Sequence, residues 1–194
     1  FRGIYSIFII KEKQRMDNKD LKKELVRTSG KVQILGKDPA IICDIDGTVA
    51  LMKGKRSPFE YEKAFEDEPN MPVIHMLLAA RRYYEEMHDR DIAIIFVSAR
   101  ENVEFYESKF IDVEHLTIQW VIKHVVDAFE DDYVFFKFRK AGDYRKDAFV
   151  KFEIGKELME DYNILCVFDD RDQVVDMWRN GLELQCFQVA DGNF

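Results

Sequence analysis

The stretch Ala40-Ile41-Ile42-Cys43-Asp44-Ile45-Asp46-Gly47-Thr48-Val49 decides how the rest of the chain is read. An apolar run ends abruptly in two aspartates one residue apart, followed by Gly and Thr. Ile41, Ile42 and Cys43 read as a strand apolar on both faces, as in a parallel sheet covered by helices on both sides. Asp44 and Asp46 then stand where the strand leaves the sheet. In open α/β sheets, ligands bind beyond the carboxyl ends of the strands. Two carboxylates buried together are costly unless something positive lies between them, and a divalent cation with oxygen ligands is the simplest candidate. An ordinary Asp-Gly turn is the competing reading. A calcium loop is not, because Lys53 stands where such a loop needs Glu.

Outward from this stretch, the N-terminal side is charged and carries weak helical periodicity through Leu21, Leu25 and Val26. Residues 1–38 read as an arm or loose helix, and residues 39–194 as the folded domain. On the C-terminal side, residues 50–70 are polar and broken by Gly54, Pro58 and Pro69, which predicts a loop or flap with a solvated acidic face over 60–68. Apolar residues Val73, Ile74, Leu77, Leu78 and Ala80 recur at helical spacing, so 72–88 is a helix. A second strand over 92–97 ends in Ser98-Ala99-Arg100-Glu101. A polar connection, a helix over 113–127 and a third strand over 133–138 follow, with Phe135, Phe136 and Phe138 as core. The turn Gly142-Asp143-Tyr144-Arg145-Lys146 leads into a helix through Met159. A fourth strand over 164–168 ends in Asp169-Asp170. A helix over 171–180, stopped by Gly181, and a short strand over 184–189 close the chain. Strands alternating with helices predict an α/β fold, a central parallel sheet flanked by helices.

Bulk properties narrow the function. The 194 residues suit one domain with a sizeable core, and 47% of them are hydrophobic. The net charge of −8 argues against a protein that coats nucleic acid, but not against an enzyme acting on a nucleic-acid end through a local basic cluster. Cys43, Cys166 and Cys186 each lie in an apolar run, which predicts buried free thiols in a reducing, cytoplasmic compartment (the host's, if the protein is viral). Cys43 is read as packing. No segment is long enough to span a membrane, and the run over 4–10 lacks a signal-peptide cleavage site. The chain opens on Phe1, so a fragment or processed product is expected, with Met16 as an alternative start. His75, His88, His115 and His124 lack ligand spacing. No repeat is present.

If the strands are parallel, their carboxyl ends gather Asp44 and Asp46, Ser98 and Arg100, Asp143, Arg145 and Lys146, and Asp169 and Asp170 on one edge. Carboxylates, a hydroxyl, lysine and arginine fit a divalent metal plus a phosphoryl group. They fit hydride or acyl transfer poorly. The dinucleotide loop, the G-x-S-x-G elbow and zinc spacings are all missing.

Asp44-x-Asp46-Gly47-Thr48, the strand ending in Ser98, Lys146 and Asp169-Asp170 resemble the four-motif signature of the haloacid dehalogenase superfamily. Ile95 to Glu101, Gly142 to Asp147, Asp169 to Arg179 and Cys186 to Gly192 resemble the 3′-phosphatase domain of phage-type polynucleotide kinase–3′-phosphatase, over about residues 39–194. The resemblance implies a Rossmann-like fold with a minimal cap and Mg²⁺ as cofactor. It implies a 3′-phosphatase acting on DNA or RNA ends, or on 3′-nucleotides, in nucleic-acid end processing and repair. It makes Asp44 the nucleophile, and Asp46 an acid and base with a pKa raised in the complex relative to Asp44. Ser98 and Lys146 would act on the phosphoryl group. Thr48, Arg56, Arg100, Asp143 and Arg145 would bind substrate, with Arg56 preferred to Lys55 for the arginine after the first motif. Metal would be held by Asp44, Asp46, Asp169 and Asp170, one of the last pair directly. Ala99 departs from the family's Gly. With no G-x-x-x-x-G-K-[ST] string present, a kinase or ligase acting with this chain would be a separate partner. Small phosphate esters or nucleoside monophosphates are the alternative substrates, and a binder of phosphorylated ends without turnover is the alternative class.

Overall fold

The computed structural model describes residues 37–192, except 59, 102–104, 107–108, 111 and 127–131. The expected N-terminal arm therefore lies outside the described residues. Five parallel strands form the central sheet in the order β7-β4-β1-β8-β9. These are β1 (Asp38–Asp44), β4 (Ala93–Glu101), β7 (Val134–Arg139), β8 (Tyr162–Asp169) and β9 (Cys186–Gln188). β1 sits in the middle, with Ile42 level with Ile95 of β4 and Val167 of β8.

Strand alternation sends successive β1 side chains into two cores. Ile41 and Cys43 join Ile94, Phe96, Cys166 and Phe168 on one face. There they pack under α1 (Met71–His88), through Ile74 and Leu77, and under α2 (Val113–His124), through Trp120 and Val121. Ala40 and Ile42 join Ile95, Val97 and Val167 on the other face. There they meet α3 (Asp147–Asp161), through Leu158, and α4 (Asp172–Asp176), which widens into a π turn over Met177–Gly181 bearing Trp178. Both faces are buried, so the strands are apolar throughout, as the first stretch of sequence implied. Among the described residues no helix is long and apolar enough to cross a membrane.

The expected flap is more ordered than its composition suggested. β2 (Ala50–Leu51) and β3 (Glu68–Pro69) pair antiparallel and enclose a 3-10 helix over Tyr61–Glu66. The 60–68 stretch is not wholly a solvated face, since Asp67 is buried. The polar connection after β4 holds a small antiparallel pair, β5 (Phe105–Tyr106) and β6 (Lys109–Phe110). Among the described residues these two short pairs are the additions at the sheet's carboxyl edge, in keeping with a minimal cap. β7 is one of the two edge strands, and Phe135, Phe136 and Phe138 are only half-buried, with Phe136 stacked on Phe96 at 5.4 Å.

Candidate active site

β1 ends on Asp44, whose carboxylate is buried. The chain then turns sharply: Val49 and Ala50 donate their N–H groups to Ile45 O, and Gly47 donates to Ala50 O. Gly47 adopts φ +84°, and a Cβ there would lie 2.0 Å from Asp170 Oδ2. Only glycine makes the turn and lets the Asp170 carboxylate come so close to the backbone. Thr48 Oγ1 donates to Asp44 Oδ2 at 3.2 Å, and the turn is held from outside by Asn70, whose Nδ2 donates to Thr48 O at 2.9 Å.

Asp169 and Asp170 come from the end of neighbouring β8. With Asp44 they form a buried cluster in which one carboxylate oxygen from each residue lies within 4.8 Å of the other two. Lys151 enters it from α3, donating to Asp44 Oδ1 at 2.6 Å and to Asp169 Oδ2 at 2.8 Å. Asp169 also accepts from Trp178 Nε1 at 3.1 Å and from the backbone N–H of Asp170 at 3.0 Å. Gly155 permits this arrangement, since a Cβ there would meet the Trp178 ring at 2.6 Å.

The charges do not balance around this cluster. Burial raises the Asp44 carboxyl well above its usual range, against the pull of Lys151, with Asp169 and Asp170 adding to the rise. Asp170 is pushed up to about 6 by burial and then by Asp169. Crowded carboxylates with one lysine among them are an oxygen-rich site of the kind that holds a hard divalent cation.

Lys146 was the lysine expected here, and the structure does not bring it to the cluster. Lys146 stands immediately before α3, makes no capping side-chain hydrogen bond and is exposed. Lys151 takes the place because the buried face of α3 runs through Val150, Lys151, Gly155 and Leu158. The missed signal was periodic: Lys151 sits in the apolar stripe of an amphipathic helix, where a charged residue needs a buried partner.

Asp46 stands in a different setting from the other three aspartates. Its carboxylate is not one of the three that cluster and is held by Arg100 Nε at 2.8 Å and by Arg56 Nη2 at 2.7 Å. Burial would raise its pKa, but the charge and hydrogen bonds of Arg100, followed by those of Arg56, outweigh that and bring it down to about 2. In the resting protein Asp46 therefore titrates below Asp44, the reverse of the order expected for the complex.

The two arginines are interior residues. Both also bind Asp67, which sequence reasoning did not single out. Arg56 donates to Asp67 from Nε at 2.8 Å and from Nη2 at 2.6 Å, and Arg100 Nη2 donates at 3.1 Å. Arg100 reaches Thr117 Oγ1 at 2.8 Å, and Trp120 Nε1 donates to the Asp67 carbonyl at 3.0 Å. Asp67 is hard to see in sequence because it lies in a run of acidic residues that reads as surface. Ser98 is buried within β4, three residues before its end at Glu101, its hydroxyl accepting the Arg100 N–H at 3.1 Å.

Asp143 and Arg145 are paired with each other at 2.7 Å in the turn before α3, and Arg145 also binds Glu153 at 2.8 Å. Asp147 bridges Arg139 at the end of β7 to Arg171 beyond β8, bracing the first turn of α3.

Comparison with known proteins places this arrangement. Residues 38–194 match the family described as the polynucleotide kinase PNKP phosphatase domain. A bifunctional polynucleotide kinase/RNA ligase of Autographa californica nuclear polyhedrosis virus is 30% identical over 143 residues, covering 73% of this chain and 18% of the viral protein. Two solved structures of Pnkp1/Rnl/Hen1 complexes, one titled as an RNA repair complex, contain similar chains. One is 34% identical with a TM-score of 0.65, covering 86% of this chain and 47% of that one. The other is 32% identical with a TM-score of 0.64, covering 86% and 52%. The chain thus spans about half of those structural relatives and under a fifth of the viral one.

Proposed function

This chain belongs to the family of polynucleotide kinase phosphatase domains, and from that premise we propose that it removes the phosphate from 3′ ends of polynucleotides through a phosphoryl-enzyme formed on Asp44. The observation that carries the reading is the Asp44 carboxylate at the end of the central strand, clasped by Lys151 and Thr48 beside Asp169 and Asp170. A module that only bound phosphorylated ends would not need a nucleophile so placed.

Asp44 Oδ attacks phosphorus, and the bond from phosphorus to the sugar 3′ oxygen breaks. Asp46 delivers the proton that the departing oxygen takes up. It then receives a proton from the water that attacks phosphorus and releases inorganic phosphate and free Asp44. As the structure stands Asp46 is a base, suited to the second step. It acquires its proton in the complex, once the substrate phosphate shares the guanidinium groups of Arg56 and Arg100. Ser98 and Thr48 hold phosphoryl oxygens at the strand ends. Lys151 keeps Asp44 and Asp169 oriented and offsets charge on the phosphate.

Asp44, Asp169 and Asp170 would hold Mg²⁺. Bound there, it neutralises the charge that otherwise keeps a carboxylate from a phosphate dianion. The Asp46 carboxylate is engaged elsewhere and would not join that set.

The small cap suits a polymer end better than an enclosed metabolite. The buried free thiols support a reducing, cytoplasmic setting. The viral kinase/ligase relative and the complex structures support a kinase or ligase as working partner.

Phosphate release from 3′- and 5′-phosphorylated oligonucleotides and from mononucleotides, with and without Mg²⁺, tests the proposal. Mg²⁺-dependent release from the 3′-phosphorylated oligonucleotide is expected. Faster release from mononucleotides moves the reading to a small-ester phosphatase. Tight binding without release makes the protein an end binder.

A further inference from the structure

β7 ends at Arg139, and the turn over 140–146 carries the chain to α3 on the same sheet edge as Asp44. The turn is firmly braced. The Gly142 N–H donates to Glu101 Oε1 at 2.6 Å, one residue beyond Arg100. Arg139 Nη1 donates to the carbonyls of Asp143 and Arg145, each at 2.9 Å. Arg145 is occupied by Asp143 and Glu153. From this rigid support Tyr144 projects with 86% of its surface in water, more than any other large apolar side chain among the described residues.

The turn itself is rich in cations in a chain whose net charge is −8, and the acids packed on it, Glu101, Asp147 and Glu153, are engaged by the Gly142 N–H, Arg139 and Arg145. Residues 137–146 hold Lys137, Arg139, Lys140, Arg145 and Lys146 against a single acid, Asp143. Lys140 and Lys146 flank Tyr144 and are exposed. The reaction at Asp44 uses none of these three.

A ring held in water on a rigid turn adds little to folding, but it offers a face to any unpaired base. Stacking on such a ring tolerates every base, and adjacent cations reach backbone phosphates without reading sequence. We propose that the 140–146 turn is a platform for the single-stranded segment leading to the phosphorylated end. Tyr144 stacks on a base, and Lys140 and Lys146 hold backbone phosphates. This rests on the end-phosphatase reading and adds where the strand lies and what form it takes. A base paired to its terminus in a blunt duplex cannot present its face to Tyr144, so unpaired ends are preferred.

The test compares wild type, Tyr144→Ala, Tyr144→Leu, Tyr144→Phe and Lys140→Gln. The substrates are a single-stranded 3′-phosphorylated oligonucleotide, its blunt duplex and p-nitrophenyl phosphate. Tyr144→Ala and Tyr144→Leu should raise KM for the single strand by about five-fold or more beyond any change on p-nitrophenyl phosphate, with Tyr144→Phe near wild type. Lys140→Gln should flatten the dependence of KM on salt. If Tyr144→Ala and Tyr144→Leu match wild type on the single strand, or lose equally on both kinds of substrate, the platform is overturned alone. If wild type hydrolyses p-nitrophenyl phosphate but no oligonucleotide, the end-phosphatase reading falls and the platform with it.

Discussion

Two aspartates one residue apart end in opposite electrostatic settings. Asp44 is buried among carboxylates with one lysine, so its pKa rises. Asp46, two residues on, is bound by two arginines, so its pKa falls to about 2. The difference matches the separate roles proposed for them. Asp44→Asn should abolish turnover while circular dichroism and melting stay native-like, because an amide is a very poor nucleophile; normal turnover by a folded variant removes the covalent route. Lys151→Ala should lower kcat by about a hundred-fold or more, the scale of losing a charge aimed at the reacting phosphoryl group. Lys146→Ala should lose far less, and single-turnover kinetics on p-nitrophenyl phosphate would separate the two. Residue identity alone pointed to Lys146, five positions early. The sequence showed that a lysine follows the Gly-Asp turn; which lysine reaches Asp44 depends on the rotation of α3 about its axis.

At the scale of elements, the segment from β2 to β3 is more than a cover. It supplies Arg56 and Asp67, and Asp67 joins Arg56 to Arg100 from β4. The segment is therefore pinned to the sheet edge by interior ion pairs. Breaking one partner of a buried pair leaves uncompensated charge and costs about 3–5 kcal/mol. Asp67→Asn should accordingly lower the urea midpoint and also slow turnover, since both arginines that hold Asp46 lose a support. An unfolding curve like wild type would show the pairs to be dispensable. On the opposite layer, Gly155→Ala would drive a methyl group into Trp178 and Leu182. Such overpacking costs about 1–3 kcal/mol. It should also reduce activity, because Trp178 holds Asp169; a melting temperature within a degree of wild type would contradict it. Asp67 stayed hidden in the sequence because nothing in an acidic run marks which member turns inward.

For the molecule as a whole, the acidic cluster is a load that folding carries and that a bound cation would relieve. Mg²⁺ should raise the melting temperature, by about 2.7 kcal/mol of stability at a hundred times its dissociation constant. Chelation should remove both that gain and turnover. Asp170→Asn should blunt the gain, and identical Mg²⁺ responses in the two proteins would exclude Asp170 from the site. The sequence by itself determined the layered α/β architecture, because strand and helix periodicities are local and survive any arrangement of their neighbours. It also determined that Asp44, Asp46, Asp169 and Asp170 lie at strand ends, because a carboxylate after a fully apolar strand has nowhere else to go. Tertiary structure alone decided that Lys151 and not Lys146 meets Asp44, that Asp46 faces arginines and not the other carboxylates, and that Asp67 binds those arginines. These pairings join residues 10 to 107 positions apart in the chain and depend on which way a helix or turn is rotated, and no local pattern encodes a distance across the sheet edge.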